Sequence, residues 1–258
     1  MSAGSTIVPL ADTGSLEIGP IVQRPDGTVI AFGATSHNAI YNSSTGVWTP
    51  GPDFPGGNDI ADGPACLLPD GNVIAYASPG IFSGTGTFFI FDGTMLTPAP
   101  ATATSGSKQS WEARMLLLPT GQALWCIADG RTIDVELFTS AGRSNRAWAP
   151  NIASIPRGLI RGRSYQISGT QFNGLSVGAD YGDDAQMATN YPLVRITNTA
   201  TGHVLFARTH DHSTMAIATG GMIVSTMADI PADAETGPST VVVVANGIES
   251  RTRRVTIR

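Results

Sequence analysis

Short apolar runs separated by turn-forming residues set the rhythm of this chain. Ile18–Arg24 is followed by Pro25-Asp26-Gly27 and then Thr28–Ile30. Pro64–Leu68 is followed by Pro69-Asp70-Gly71 and Val73–Tyr76, and Ala113–Leu118 by Pro119-Thr120-Gly121 and Gln122–Leu124. Proline presets φ at such a turn, glycine supplies the positive φ, and aspartate caps its own backbone. Each unit therefore reads as strand, tight turn, strand. The turn glycines Gly27, Gly71 and Gly121 stand 44 and then 50 residues apart, a period that points to propeller blades or a similar array. No stretch sustains apolar positions at i, i+3, i+4 and i+7, so no helix is predicted.

The same pattern divides the chain. A first blade covers about 16–54, with an inner strand at Gly19–Arg24, a second at Thr28–Gly33, and an outer hairpin of Ala39–Tyr41 and Val47–Thr49. A second covers 60–98, with Thr87–Phe91 and Met95–Thr97 as its outer hairpin. A third covers 111–148, with outer strands near Ile133–Phe138 and Arg146–Trp148. Residues 1–15 read as an outer strand or linker, and Pro100–Ser110 as a loop between blades. After Pro150 the repeat stops. Ser164–Phe172 alternates polar and apolar, as a half-buried strand does. Leu193–Thr197, His203–Arg208, Ala216–Ala218, Met222–Met227, Thr240–Ala245 and Arg254–Ile257 follow at the spacing of an immunoglobulin-like sandwich. The expected fold is all-β: an incomplete, three-bladed propeller over 1–150, then a β-sandwich over 151–258.

Composition sharpens this picture. Thirty glycines and 17 prolines in 258 residues, with only 14% charged, suit many strands joined by tight turns. The net charge is −5 and no run of Lys or Arg stands out, so a nucleic-acid partner is not expected. No apolar run is long enough to span a bilayer, and the N-terminus lacks the charged and apolar regions of a signal peptide. Cys66 and Cys126 each fall in an apolar strand and read as buried free thiols.

Several segments carry a family resemblance. Tyr41-Asn42, then Thr45-Gly46-Val47-Trp48, is similar to the outer hairpin of a kelch blade, whose tryptophan packs between neighbouring blades. Leu16–Pro20, Arg24–Gly27, Gly51–Gly57 and Asp62-Gly63-Pro64 extend the likeness, as do Gly169–Ser176, Tyr181–Asp184 and Arg208–Ser213. The whole chain resembles the C-terminal part of kelch-propeller proteins related to galactose oxidase and glyoxal oxidase: the last three blades and an E-set immunoglobulin-like domain. The resemblance implies a longer, seven-bladed parent and an extracellular or periplasmic location. Copper-radical oxidases of this family bind copper on the propeller axis. Their ligands include a Tyr-His pair opening the last blade and a histidine in a loop of the C-terminal domain. Thr209-His210-Asp211 matches that loop, whereas Trp111-Glu112 stands where the pair would be. The implied function is therefore binding without catalysis and without a cofactor. An oxidase remnant using copper, or a serine hydrolase using Ser176, is the alternative.

Asp62 and Glu112 each stand seven residues before a turn proline, and Trp111 and Arg114 are close by. Inner strands converge on a propeller's channel, so these four residues are a candidate mouth for a carbohydrate, another polar ligand or a cation. Carboxylates that merely solvate the channel mouth are the plainer reading. His210 and His212 share a face if their segment is a strand, and could then share a metal given a third ligand; loop histidines bonded to backbone are the alternative. Gly174-Leu175-Ser176-Val177-Gly178 matches the G-x-S-x-G pattern of serine hydrolases, which has meaning only on a strand–turn–helix elbow. Asp180, Asp183 and Asp184 form an acidic cluster, and Asn42-Ser43-Ser44 a glycosylation sequon. Three blades cannot close a ring. Association with a second copy or with further blades is expected.

Overall fold

A computed structural model describes residues 8–11, 14, 17–80, 84–128, 133–179 and 190–258. The acidic cluster at Asp180, Asp183 and Asp184 and the residue Leu16 lie outside these. Strands and short 3-10 turns are the regular elements of the described residues, so the chain is all-β. It forms two compact units, 1–143 with 176–188, and 144–175 with 189–258.

Among the described residues the first unit holds three antiparallel sheets, in sequence order apart from one short strand added to the edge of the first. The first contains β1 (Ile18–Gln23), β2 (Thr28–Gly33), β3 (Ala39–Asn42) and β4 (Val47–Pro50). The second contains β5 (Ala65–Leu67), β6 (Val73–Ala77), β7 (Thr87–Phe91) and β8 (Leu96–Pro98), and the third β9 (Ala113–Leu117), β10 (Ala123–Ala128) and β11 (Ile133–Phe138). The repeated turn is the same object three times. Gly27, Gly71 and Gly121 have φ of +85°, +86° and +80°. Their N–H groups donate to the carbonyls of Arg24, Leu68 and Leu118 at 3.0, 2.9 and 2.9 Å. In the first two turns Asp26 and Asp70 accept from the backbone of Thr28 and Asn72 at 2.9 and 3.1 Å.

Strand alternation gives the second blade two apolar faces. Leu67, Val73, Ala75, Phe89 and Phe91 pack with Val22, Ile30 and Phe32 of the first blade. The intervening Cys66, Leu68, Ile74, Tyr76 and Phe88 pack with Met115, Trp125 and Ile127 of the third. Arg24 reinforces the first of these contacts. Its Nε donates to the Gly71 carbonyl at 3.0 Å and its Nη2 to that of Asp92 at 2.9 Å, while the guanidinium lies 5.5 Å from the Phe91 ring centre.

Three details depart from expectation. Arg146–Trp148 is a 3-10 turn, not a strand, because the Asn145 side chain accepts from the Ala147 N–H at 3.0 Å and caps it. The third blade thus has three strands among the described residues. Among the described residues, Trp48 does not face the second blade. Ile40 faces the second blade, so the next residue, Tyr41, and its cross-strand partner Trp48 lie on the other face, with ring centres 5.1 Å apart. Neither cysteine forms a disulfide among the described residues, and only Cys66 is buried; Cys126 is half-buried.

The second unit is a sandwich. Its strands are β12 (Asn151–Ser154), β13 (Gly158–Leu159) and β14 (Ser164–Thr170), then β16 (Leu193–Asn198), β17 (Val204–His210), β18 (Val224–Asp229), β19 (Gly237–Ala245), β20 (Ile248–Glu249) and β21 (Arg253–Ile257). β15 (Gly178–Ala179) belongs to the first unit and extends its first sheet by pairing with β1. In the sandwich, β17 serves both sheets: Val204–Ala207 pair with β16, and Arg208–His210 with β18. Ile152, Ile167, Phe172 and Val224 meet Val194, Ile196, Val241, Val243 and Val255 in the core. Ala216–Ala218, expected as a strand, is a bend instead. Thr214 Oγ1 accepts from the Ala216 N–H, and Ala218 sits at φ +53°.

Each turn glycine occupies backbone space that a Cβ disfavours by about 1–2 kcal/mol. Gly71→Ala should lower stability by about that amount, read as a shift in the urea midpoint at constant slope. An unchanged midpoint would show that the turn does not set the ladder.

Candidate ligand-binding site

Blade three opens on a rigid turn. Ser110–Glu112 forms a 3-10 turn closed by a capping box, with the Gln109 N–H donating to Glu112 Oε2 at 2.7 Å. Reciprocal caps of this kind satisfy donors that would otherwise be orphaned. Trp111 stands on the turn, 41% exposed, and its indole N–H donates to Gln109 Oε1. Arg114 Nη1 folds back onto the carbonyls of Trp111 and Ala113 at 2.9 and 2.7 Å.

The turn is anchored to the second blade from below. Buried Ser110 donates through Oγ to the Ala61 carbonyl at 3.3 Å, and the Ser78 and Ser110 hydroxyls lie 3.1 Å apart. The Tyr76 hydroxyl donates to the carbonyls of Ser105 and Lys108 at 2.7 and 3.0 Å, tying down the connector between the blades. Burial raises the pKa of this phenol, and the nearby Glu112 charge raises it further. Asp62, in the left-handed region at φ +51°, lies between Ala61 and Gly63, whose backbone abuts Ser110.

The structure places Asp62 next to Gly63, whose backbone abuts Ser110, and Trp111, Glu112 and Arg114 at the opening of the third blade. It also gives two of them local work: Glu112 caps its own turn, and Arg114 braces it. The residues beneath, Tyr76, Ser78 and Ser110, had no signal in the sequence beyond lying in apolar or small-residue stretches.

In the second unit, His210 ends β17. Its Nε2 lies 2.9 Å from Asp229 Oδ1 and its Nδ1 3.0 Å from Asp211 Oδ2. Asp211 has φ +49° and breaks the strand, so His212 does not continue the face of His210. Its Nδ1 meets Thr226 Oγ1 at 2.9 Å instead, and its ring stacks on Tyr191. The hydrogen bond to Asp229, and then that to Asp211, hold the His210 pKa above the ordinary imidazole value. Asp229 is held below the usual carboxylate range by Ser164 and then by His210.

Copper is held by deprotonated donors: neutral imidazole, thiolate or anionic oxygen. An imidazole whose two nitrogens are held by carboxylates, with its charged form favoured, is a poor donor, and Trp111-Glu112 supplies neither a phenol nor an imidazole. Among the described residues no three His, Cys, Asp or Glu side chains assemble as a metal site. The residues present do not fit the copper centre. Ser176 is buried and precedes β15 rather than a helix, so the geometry of a nucleophile elbow is missing.

No protein family and no curated protein matches the sequence. Among solved structures, the chain is similar to a fungal alcohol oxidase of the AA5 family in complex with copper, at 14% identity and a TM-score of 0.39. The match covers 95% of this chain and 55% of the oxidase, so the chain spans about half that protein's length. A second likeness is to domains 4–9 of the surface layer protein SbsC. It has 16% identity and a TM-score of 0.19, and covers 75% of this chain and 28% of that one.

The His210–Asp229 pair makes a signed pH prediction. The raised His210 pKa contributes stability that is complete below about pH 6.5 and is lost as pH rises through the folded value. The lowered Asp229 pKa contributes stability that is complete above about pH 3.9 and is lost as pH falls through its own folded value. Both act together between these limits. An NMR titration should place His210 above about 6.5, and Asp229→Asn should bring it down; a value at or below 6.5 in the unmodified protein would refute the pairing.

Proposed function

We propose that this chain is a non-catalytic binding module, and that its ligand is a saccharide or similarly polyhydroxylated molecule. The observation that carries this reading is Trp111, an exposed indole held rigid by a capped turn. An aromatic plane fixed in advance offers its apolar face to the C–H face of a sugar ring at little entropic cost. Gln109 and Arg114, which both bond to Trp111, are the hydrogen-bonding groups nearest it for the ring's edge. The family resemblance supports an extracellular or periplasmic setting, where such ligands occur. No helix among the described residues is long and apolar enough to cross a membrane.

A glycan array on the intact protein tests this directly. Binding above background that Trp111→Ala reduces by at least about tenfold is expected, the loss of a hot-spot aromatic. A blank array refutes the saccharide reading. Stoichiometric copper in the purified protein, with peroxide release on adding alcohols, would establish the oxidase alternative in its place.

The apolar outer face of blade three supports a proposal about partners. Leu116 on β9 and Val135 and Leu137 on β11 are 48%, 55% and 52% exposed on the two strands that flank β10, an arrangement that marks interfaces. We propose association of two copies through this face. Light scattering coupled to size exclusion should give a mass above one chain at micromolar concentration, reduced by Leu137→Lys. A stable monomer would refute it.

A further inference from the structure

We infer that the cleft between the second and third blades is a binding site for a small hydroxylated ring, a phenol or one-ring alcohol. Near the strand openings these blades close over Tyr76, Phe88 and Trp125, whose ring centres lie 4.8–5.5 Å apart. Towards β11 they leave a cavity of about 170 Å³, walled by Ile74, Phe88, Met115, Trp125 and Phe138. The connector at 100–102 borders it, and Glu136 supplies its one charged wall. This is the size of one ring: an apolar protein cavity of about 150 Å³ takes up benzene.

Two polar groups set the chemistry. Trp125 is 2% exposed, yet its indole N–H meets no acceptor among the described residues. Buried indoles ordinarily find a partner, and an unmade bond of this kind is costly. Glu136 stands directly across the ladder from Trp125. Its Oε1 accepts from the Ala103 N–H at 3.3 Å, and a carboxylate has further lone pairs to offer. A single hydroxyl answers both groups, since its oxygen accepts from the indole and its hydrogen goes to the carboxylate. A plain hydrocarbon ring fills the space but leaves the indole unmet. A ring carboxylate sets a like charge beside Glu136.

The site is distinct from the Trp111 surface, and its test is independent of any saccharide. The full chain is titrated with phenol, toluene and benzoate by calorimetry and ligand-observed NMR. Phenol should saturate with a Kd on the order of 1 mM or tighter, with toluene weaker and benzoate weakest. Trp125→Phe, which keeps a ring and removes the N–H, should weaken phenol by about three- to tenfold. Ala101→Trp places bulk at the cavity border without touching the blade ladders, and should abolish binding while leaving the melting temperature in place. The inference is overturned if phenol does not saturate, if toluene binds as tightly, or if Ala101→Trp binds phenol as before. Should Trp125→Phe fail to fold, the toluene comparison and Ala101→Trp decide the matter alone.

Discussion

The second blade is apolar on both faces, and a sheet of that kind has no stable existence in water unless both are covered. Each large side chain moved from water into these contacts contributes about 1.5–3 kcal/mol, and the two faces together bury Leu67, Leu68, Ile74, Tyr76, Phe88, Phe89 and Phe91. Which residue faces which neighbour is decided by the ladder register, since a slip of one residue exchanges the faces. The register is decided in turn by the glycine turns, with φ near +80° to +86° in all three copies. Backbone geometry at three residues thus governs two hydrophobic interfaces.

Both places with chemical interest sit on the interface between the second and third blades. At one end the packing is sealed by hydroxyls, Ser78 to Ser110 and Tyr76 to the connector backbone, and Trp111 is displayed on top. At the other the sheets part and leave Trp125 facing Glu136.

What the sequence disclosed is what local chemistry decides. The Pro-Asp-Gly and Pro-Thr-Gly turns, the strands beside them and the alternating strands of the sandwich stand where the pattern put them. Misreadings fell where one side chain competes with the backbone or where a face depends on the neighbour. Asn145 caps a turn where a strand was expected, Thr214 does the same before Ala216, and Trp48 follows the parity of Ile40 rather than its motif. The equivalent positions of Asp62 and Glu112 were legible, but the capping role of Glu112 was not. The partners of His210 and Trp125 were not legible either, since Asp229 and Glu136 meet them only across a ladder.

The short strand β15 has a consequence for how the protein can be divided. The chain passes between its two units at 143/144, 175/176 and 188/189, and the middle excursion lays Gly178 and Ala179 along β1, with the Gln23 N–H donating to the Val177 carbonyl at 2.9 Å. A protease nick after Arg143 would therefore leave two pieces still threaded together by the excursion. A blade region ended at that point would carry a bare β1 edge, with its donors and acceptors open to any strand that came by. The residue at which the first unit is left is not a place where the polypeptide can be cut in two.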